Sequence, residues 1–471
     1  MRRAENGQSR LPLIAMIAGG LLAVGALAYV LFFRDTGPKV DSAATLAARC
    51  AFPACRAAFD PGLGRGYEGP SVAVDPADEN HMVVTNANMS AGVCMWHVTF
   101  DRGKEWEDGV FKVEGYTGCH INAGAGGHVP TGPGGVSFGP SGTVYATYGS
   151  ANPNFGERAR EAVVIATSTD GAKSFNAKVA VEPPGDDISF ARPLMSVVAG
   201  PNGKDRILLS FWQCRQGGRF CDSVYFARSD DGGATFTPPI IVNEPGQFGQ
   251  YPSEPLQGPD GTIYMTFLRK YADGPSDLML AKSSDGGSTF TYKQVDYQPQ
   301  IGDRYDPAKL AMDPTGANLY LVYTDARTGG QQVIFRKSAD KGVTWADPVG
   351  IAPSQEATMT GSSRTPSIAV APDGRIDIVY YRTPQADTDN VFWGYSIDGG
   401  ARFTSRQVNE RPIRRYEFGA AIGTWYPPDI ASIDSAAVIV WSDSMAAPDQ
   451  DQNTQDVLLR RMLPPGGELP P

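Results

Sequence analysis

From residue 69 onward the chain alternates short apolar runs with Pro, Gly and Asp turns, and the alternation repeats at domain scale. Seven runs of one type recur: Pro70-Ser71-Val72-Ala73-Val74-Asp75-Pro76, Gly135 to Pro140, Leu194 to Val198, Glu254 to Pro259, Ala308 to Pro314, Pro366 to Pro372 and Asp429 to Ile433. Short apolar runs bounded by turn residues predict strands. Each is followed by a second β-rich run, such as Thr262 to Leu268, Leu319 to Tyr323 or Ile376 to Tyr381. A third follows, such as Leu278 to Lys282 or Val333 to Lys337. A sheet of this size cannot bury both faces alone, so such units must stack on one another.

The third run leads directly into an octet with its own grammar. In Ser283-Ser284-Asp285-Gly286-Gly287-Ser288-Thr289-Phe290 the carboxylate can accept backbone N–H groups of the following residues. Gly287 supplies a positive φ, and Phe290 returns an aromatic ring to the core. Ser229 to Phe236 and Ser338 to Trp345 are complete copies. Thr99 to Trp106, Ser168 to Phe175 (Ala172 in place of the glycine) and Ser396 to Phe403 (Arg402 in place of the threonine) are weaker ones. The repeated aspartates are Asp101, Asp170, Asp231, Asp285, Asp340 and Asp398. This octet resembles the Asp-box, or BNR repeat, of sialidase-superfamily β-propellers. The resemblance implies an all-β propeller in which the boxes are structural turns at the blade periphery, remote from any active site.

On that reading one blade comprises three runs, an octet and an outer strand. Seven first runs predict seven blades. The last, Asp429 to Met462, has no octet and would take its outer strand from residues 56 to 68. The six blades of the sialidase precedent are the alternative.

The 54 glycines and 37 prolines among 471 residues agree with an all-β, turn-rich chain. A formal net charge of −10 and the lack of a Lys/Arg block exclude nucleic acid as a partner. Leu11 to Phe33 carry no charge and are long enough for a bilayer core. Arg2, Arg3 and Arg10 precede them against Glu5 alone, which predicts a cytoplasmic N-terminus and an exported remainder. A cleaved signal peptide ending near Ala26-Leu27-Ala28 is the other reading. The organisation expected is a cytoplasmic tail (1–10), a transmembrane anchor (11–33), a tether (34–55), the propeller (56–463) and a tail (464–471). The large domain would be periplasmic or at the cell surface. The six cysteines fall into local pairs, Cys50/Cys55, Cys94/Cys119 and Cys214/Cys221, which suit disulfides in that compartment. Metal binding or free thiols are the alternative. No cofactor is indicated. Asp449, Asp451, Asn453 and Asp456 resemble the start of a calcium loop but lack its glycine and final glutamate, which favours a solvated acidic loop.

In a propeller, ligands sit at one end of the tunnel, on loops before first strands and after second strands. Those loops are rich here in arginine, carboxylate and aromatic side chains, a mixture suited to acidic or glycan ligands. Sialidases use an arginine triad, a Tyr/Glu nucleophilic pair and an Asp acid/base. Arg364-Thr365-Pro366 is similar to their Arg-x-Pro motif, though in the sixth unit and not the first. By residue type and expected position, Arg304, Arg364 and Arg382 would form a carboxylate clamp, with Tyr305 or Tyr426 as nucleophile, Glu254 or Glu417 as its base, Asp306 as acid and Trp425 as a stacking platform. The structural alternative makes the arginines bridges between blades and the aromatic residues tunnel packing. Three functions are consistent with this: recognition of a glycan or protein ligand at the tunnel rim, an exo-sialidase-type hydrolase, or an assembly scaffold.

Overall fold

Seven antiparallel sheets follow one another along the chain in the computed structural model, each with its first strand innermost. The structure describes residues 67–88, 93–116, 133–152, 160–185, 188–215, 220–271, 276–297, 299, 308–327, 330–351, 362–385, 388–414, 417–418, 421–422, 427–443 and 456–464. Blade 1 comprises Tyr67–Asp75, Asp78–Asn88, Val93–Thr99 and Glu107–Val110, paired in that order. Blade 2 spans Pro133–Phe138 to Asn176–Val181, blade 3 Ile188–Ala199 to Ile240–Ile241, blade 5 Lys309–Met312 to Val349–Gly350, and blade 6 Ser362–Val370 to Thr404–Gln407. In blade 4 the inner strand is broken into Phe248–Gln250 and Leu256–Gln257, both paired with Ile263–Lys270; Ser276–Ser283 and Thr291–Asp296 complete it. Blade 7 shows three strands, Asp429–Ile433, Ala436–Asp443 and Asp456–Met462.

The count of seven agrees with the seven apolar runs. The suggestion that residues 56–68 furnish the outer strand of blade 7 does not hold at its C-terminal end. Tyr67 and Glu68 open the innermost strand of blade 1, opposite Asn88 and Ala87. The anchor, the tether, Cys50, Cys55 and the acidic loop from Asp449 lie outside the described residues, apart from Asp456, whose backbone opens the last strand of blade 7. No helix among the described residues is long and apolar enough to cross a membrane.

The core consists of interfaces between blades. Because side chains alternate along a strand, each sheet sends one set of apolar residues forward and the other back. In blade 3, Leu209 and Phe211 pack on Val163 and Ile165 of blade 2, while Leu208 and Phe226 pack on Ile263 and Met265 of blade 4. Blades 1–2, 4–5, 5–6 and 6–7 are joined in the same way. The ring closes where Val72, Met82 and Val84 meet Val438, Val440 and Leu459. Burying each large aliphatic side chain contributes about 1.5–3 kcal/mol.

The octets lock the ends of third strands opposite the inner-strand starts. In all six, the first-position hydroxyl donates to the aspartate at 2.6–2.8 Å and accepts the N–H of the fifth residue at 2.8–2.9 Å. The aspartate in turn accepts the N–H of the seventh residue at 2.8–3.1 Å. The hydroxyls of Ser168 and Ser174 hold the Asp170 carboxyl down to about 2, and Thr344 does the same for Asp340. The fifth position also faces a neighbouring blade: a methyl group on Gly287 would overlap the Phe226 ring, one on Gly342 would overlap Leu280, and one on Gly400 would overlap Phe335. Glycine is therefore required twice over, by a φ of 91° at Gly287 and by the close approach of blade 3.

Two outcomes follow. Gly287→Ala should destabilise the domain by about 2–4 kcal/mol in urea unfolding. Gly261→Ala, at φ 79° but with open space around it, should cost only the conformational strain of about 1 kcal/mol; equal losses would show that the interblade fit does not matter. The octet carboxyls are held below their ordinary 3.8 in the folded state. Their stabilisation is therefore present above about pH 4 and lost as the pH falls toward 2. A urea midpoint that stays constant from pH 5 to pH 2 would contradict this.

Candidate functional site

The inner strands do not run straight through the tunnel. Pairing slips between Glu68 and Ser71, between Pro133 and Gly135, and between Arg364 and Ser367, and the inner strand of blade 3 breaks step beside Trp212. The residues at these bulges adopt positive φ, mostly just before a proline: Gly69 (60°), Arg192 (50°), Tyr251 (54°) and Thr365 (50°). Three are not glycine, and such strain of about 1–3 kcal/mol per residue is held only by its surroundings. The bulges bend the strands around the mouth of the tunnel and re-aim the side chains there.

A cavity of about 490 Å³ reaches into the tunnel from this end, lined by residues of all seven inner strands. Its charged side chains are Arg192 of blade 3, Glu254 of blade 4, Lys309 of blade 5 and Asp429 of blade 7. Lys309 forms an ion pair with Glu254 across the blade boundary. Asp429 accepts the Ser71 hydroxyl at 2.8 Å and the Val72 N–H at 3.0 Å. Burial pushes the Asp429 carboxyl upward, while the ammonium of Lys309 and the two donors from blade 1 pull it back. At the lip, the Arg192 guanidinium lies 5.8 Å from the Trp212 ring, and Trp212 meets Tyr251 edge to face at 4.5 Å. The Cys214–Cys221 disulfide closes the hairpin just beyond Trp212, and Gln250 donates to the Cys221 carbonyl. Cys94 is also disulfide-bonded; Cys119 lies outside the described residues.

Of the residues expected to carry chemistry, Glu254 lines this cavity, but its carboxylate is engaged by Lys309. Arg364 and Arg382 do not converge. Arg364 pairs with Tyr381 across the sheet, so Arg382, one residue further on, points to the opposite face. Arg364 is buried, donates to Asp389 at 2.7 Å and lies over the Tyr381 ring on the side of blade 7. Arg382 lies over Phe392 on the side of blade 5, and burial lowers its pKa. Neither lines the cavity. The backbone of Glu417 forms a two-residue strand, Glu417–Phe418, paired with Ala421–Ile422. Arg304, Tyr305, Asp306, Trp425 and Tyr426 lie outside the described residues.

Arg192, Trp212, Lys309 and Asp429 line the cavity without having been assigned a role from the sequence; of these, Lys309 and Asp429 lie within inner runs. Their signal was present: both stand one or two places after a proline at the start of an inner run, where Ser71 and Ser367 stand in other blades. No group of three or more His, Cys, Asp or Glu side chains among the described residues is placed to hold a metal ion.

No protein-family model and no curated protein sequence matches the chain. Among solved structures, it is similar to an ulvan lyase of polysaccharide lyase family PL25 bound to -[GlcA(1-4)Rha3S]-, at 13% identity and a TM-score of 0.53. The match covers 84% of this chain and 94% of the lyase. A protein of unknown function from Dyadobacter fermentans matches at 14% identity and TM-score 0.47, over 70% of this chain and 93% of its own. A Hadza microbial sialidase, Hz136, matches at 15% identity and TM-score 0.46, over 83% and 74%. The likeness to the ulvan lyase is one of fold, and the chain is a seven-bladed β-propeller.

The Lys309–Glu254 pair is largely enclosed, with 12% and 32% of the two side chains exposed. Lys309→Met would leave Glu254 without its ion-pair partner and Asp429 without the nearby cation. It should cost about 2–3 kcal/mol in urea unfolding, and adding Glu254→Gln should restore part of the loss. A double variant no more stable than the single one would show that the pair is not coupled.

Proposed function

We propose that this protein is an exported propeller, tethered to the membrane by residues 11–33, that binds an acidic glycan at the mouth of its tunnel. The observation that carries the reading is the cavity itself. It sets the Arg192 guanidinium among backbone-rich Pro and Gly segments, with the Trp212 ring at the lip. Guanidinium groups match carboxylates and sulfates, and an aromatic face stacks on a sugar ring. The glucuronate- and sulfate-bearing ligand of the ulvan lyase, which shares this fold, supports the same ligand class. The six octets are read as Asp-boxes, turns that build the ring from its far end and take no part in binding.

Exo-sialidase chemistry has less support. It needs arginines that converge, whereas Arg364 is committed to Asp389 and Arg382 faces the other way. A docking platform for protein is the remaining alternative.

The test is titration of the exported fragment (from residue 40) with acidic oligosaccharides, including the glucuronate–rhamnose-3-sulfate repeat, followed by calorimetry. Binding should weaken about 10-fold or more in Arg192→Ala, since a charge-assisted contact contributes about 1.5–3 kcal/mol. Binding unaffected by this substitution, or no acidic glycan bound at all, would refute the proposal.

A further inference from the structure

Large exposed apolar side chains are distributed unevenly. Phe100, Val343 and Ile397 sit in octets at the far end of the ring. Of the other four, Ile241 lies midway along the outer strand of blade 3, opposite Tyr225, whereas Phe248, Tyr271 and Tyr297 lie at the mouth end of blade 4. Phe248 begins the inner strand of blade 4 opposite Lys270, Tyr271 follows its second strand, and Tyr297 follows its fourth. With neighbouring strands about 4.8 Å apart, the three rings are spread over about 14 Å from the tunnel lip outward. Trp212, which lines the tunnel cavity, meets Tyr251 of blade 4 edge to face.

The Tyr271 ring is exposed and yet held in place, and the backbone that carries Tyr297 is anchored. The Tyr271 hydroxyl donates to Asp277 at 2.6 Å, and the Arg269 guanidinium lies 5.6 Å from its ring. Arg269 is itself fixed by Asp277 (2.6 Å) and Glu244 (3.1 Å). The Tyr297 N–H donates to Asp296 at 2.8 Å, and Arg327, reaching over from blade 5, donates to both the Tyr297 carbonyl and Asp296. A water-facing aromatic ring held in this way, as that of Tyr271 is, is prepared for a partner, because little freedom is lost when one arrives.

We propose that the mouth-side face of blade 4 is a binding track for an extended polysaccharide, running from the tunnel lip past Phe248 and Tyr271 to Tyr297. This rests on the glycan reading above and specifies a polymer as the ligand, not a single terminal sugar. A protein interface would centre on contiguous apolar surface depleted of charge. Here the rings are separated by charged pairs, Arg269 with Asp277 and Glu244, and Arg327 with Asp296, which offer donors and acceptors to hydroxyl and acid groups between stacked sugar faces.

The experiment uses the same exported fragment and oligosaccharides of two, four and six sugars of the glucuronate–rhamnose-3-sulfate repeat. Affinity should rise with length, at least 10-fold from two sugars to six. Tyr271→Ala and Tyr297→Ala should each lower hexasaccharide affinity about 5- to 10-fold and leave the disaccharide unchanged, while Tyr271→Phe, which keeps the ring, should retain it. These residues are exposed, and an unchanged thermal midpoint will show that each variant folds. Affinity independent of length, or a hexasaccharide indifferent to the alanine variants, overturns the track while leaving the tunnel site intact and assigns the exposed rings to a protein partner. A Tyr271→Phe variant as weak as Tyr271→Ala also overturns it. No binding at any length overturns the track and the glycan reading together.

Discussion

Each sheet in this protein has two apolar faces and can cover neither of them itself. In blade 3, successive residues Leu208, Leu209, Ser210 and Phe211 of one strand face alternate sides, so half of the strand belongs to the interface with blade 2 and half to that with blade 4. No blade has a private core, and stability comes from the interfaces. That makes the ring cooperative: the contact between blades 7 and 1, far apart in sequence, completes the burial begun by all the others. Asp429 sits at this junction, its carboxylate bonded to Ser71 and Val72, and Glu79 accepts the Ser435 hydroxyl at the opposite end.

The same constraint creates the tunnel. Inner strands that pack by their faces must present their edges and bulged starts to the axis, and the space they leave becomes the cavity. Into it the blades project a small number of charged groups, paired across blade boundaries as Glu254 and Lys309 are. At the far end the octets perform a purely mechanical task, fitting Gly287 or Gly400 against an aromatic ring of the preceding blade. One end of the ring carries the octets, and the other opens into the cavity.

The architecture was legible in the sequence because its signals are local. An Asp–Gly–aromatic octet satisfies its own hydrogen bonds within eight residues, and a short apolar run bounded by turn residues is a strand wherever it lies. Blade number followed from counting the inner runs. The Cys214–Cys221 pair was also local, set on facing strands. Site chemistry was harder to read. Whether Arg364 and Arg382 converge depends on pairing register around a bulge, and one residue of offset puts them on opposite faces. Lys309 and Asp429 looked like ordinary polar interruptions of apolar runs; only closure of the ring brings them to a common axis. The exposed residues Phe248, Tyr271 and Tyr297 come from the ends of three different strands and have no sequence period at all.

The tunnel mouth is proposed as the end of the ring that receives a ligand. A crystal structure of the fragment from residue 40 soaked with the glucuronate–rhamnose-3-sulfate oligosaccharide tests this most directly. Sugar density in the tunnel mouth, with an acid group beside Arg192 and a ring against Trp212, is the expected result. Density on the octet end or on the outer wall of the blades, with the mouth empty, would contradict it.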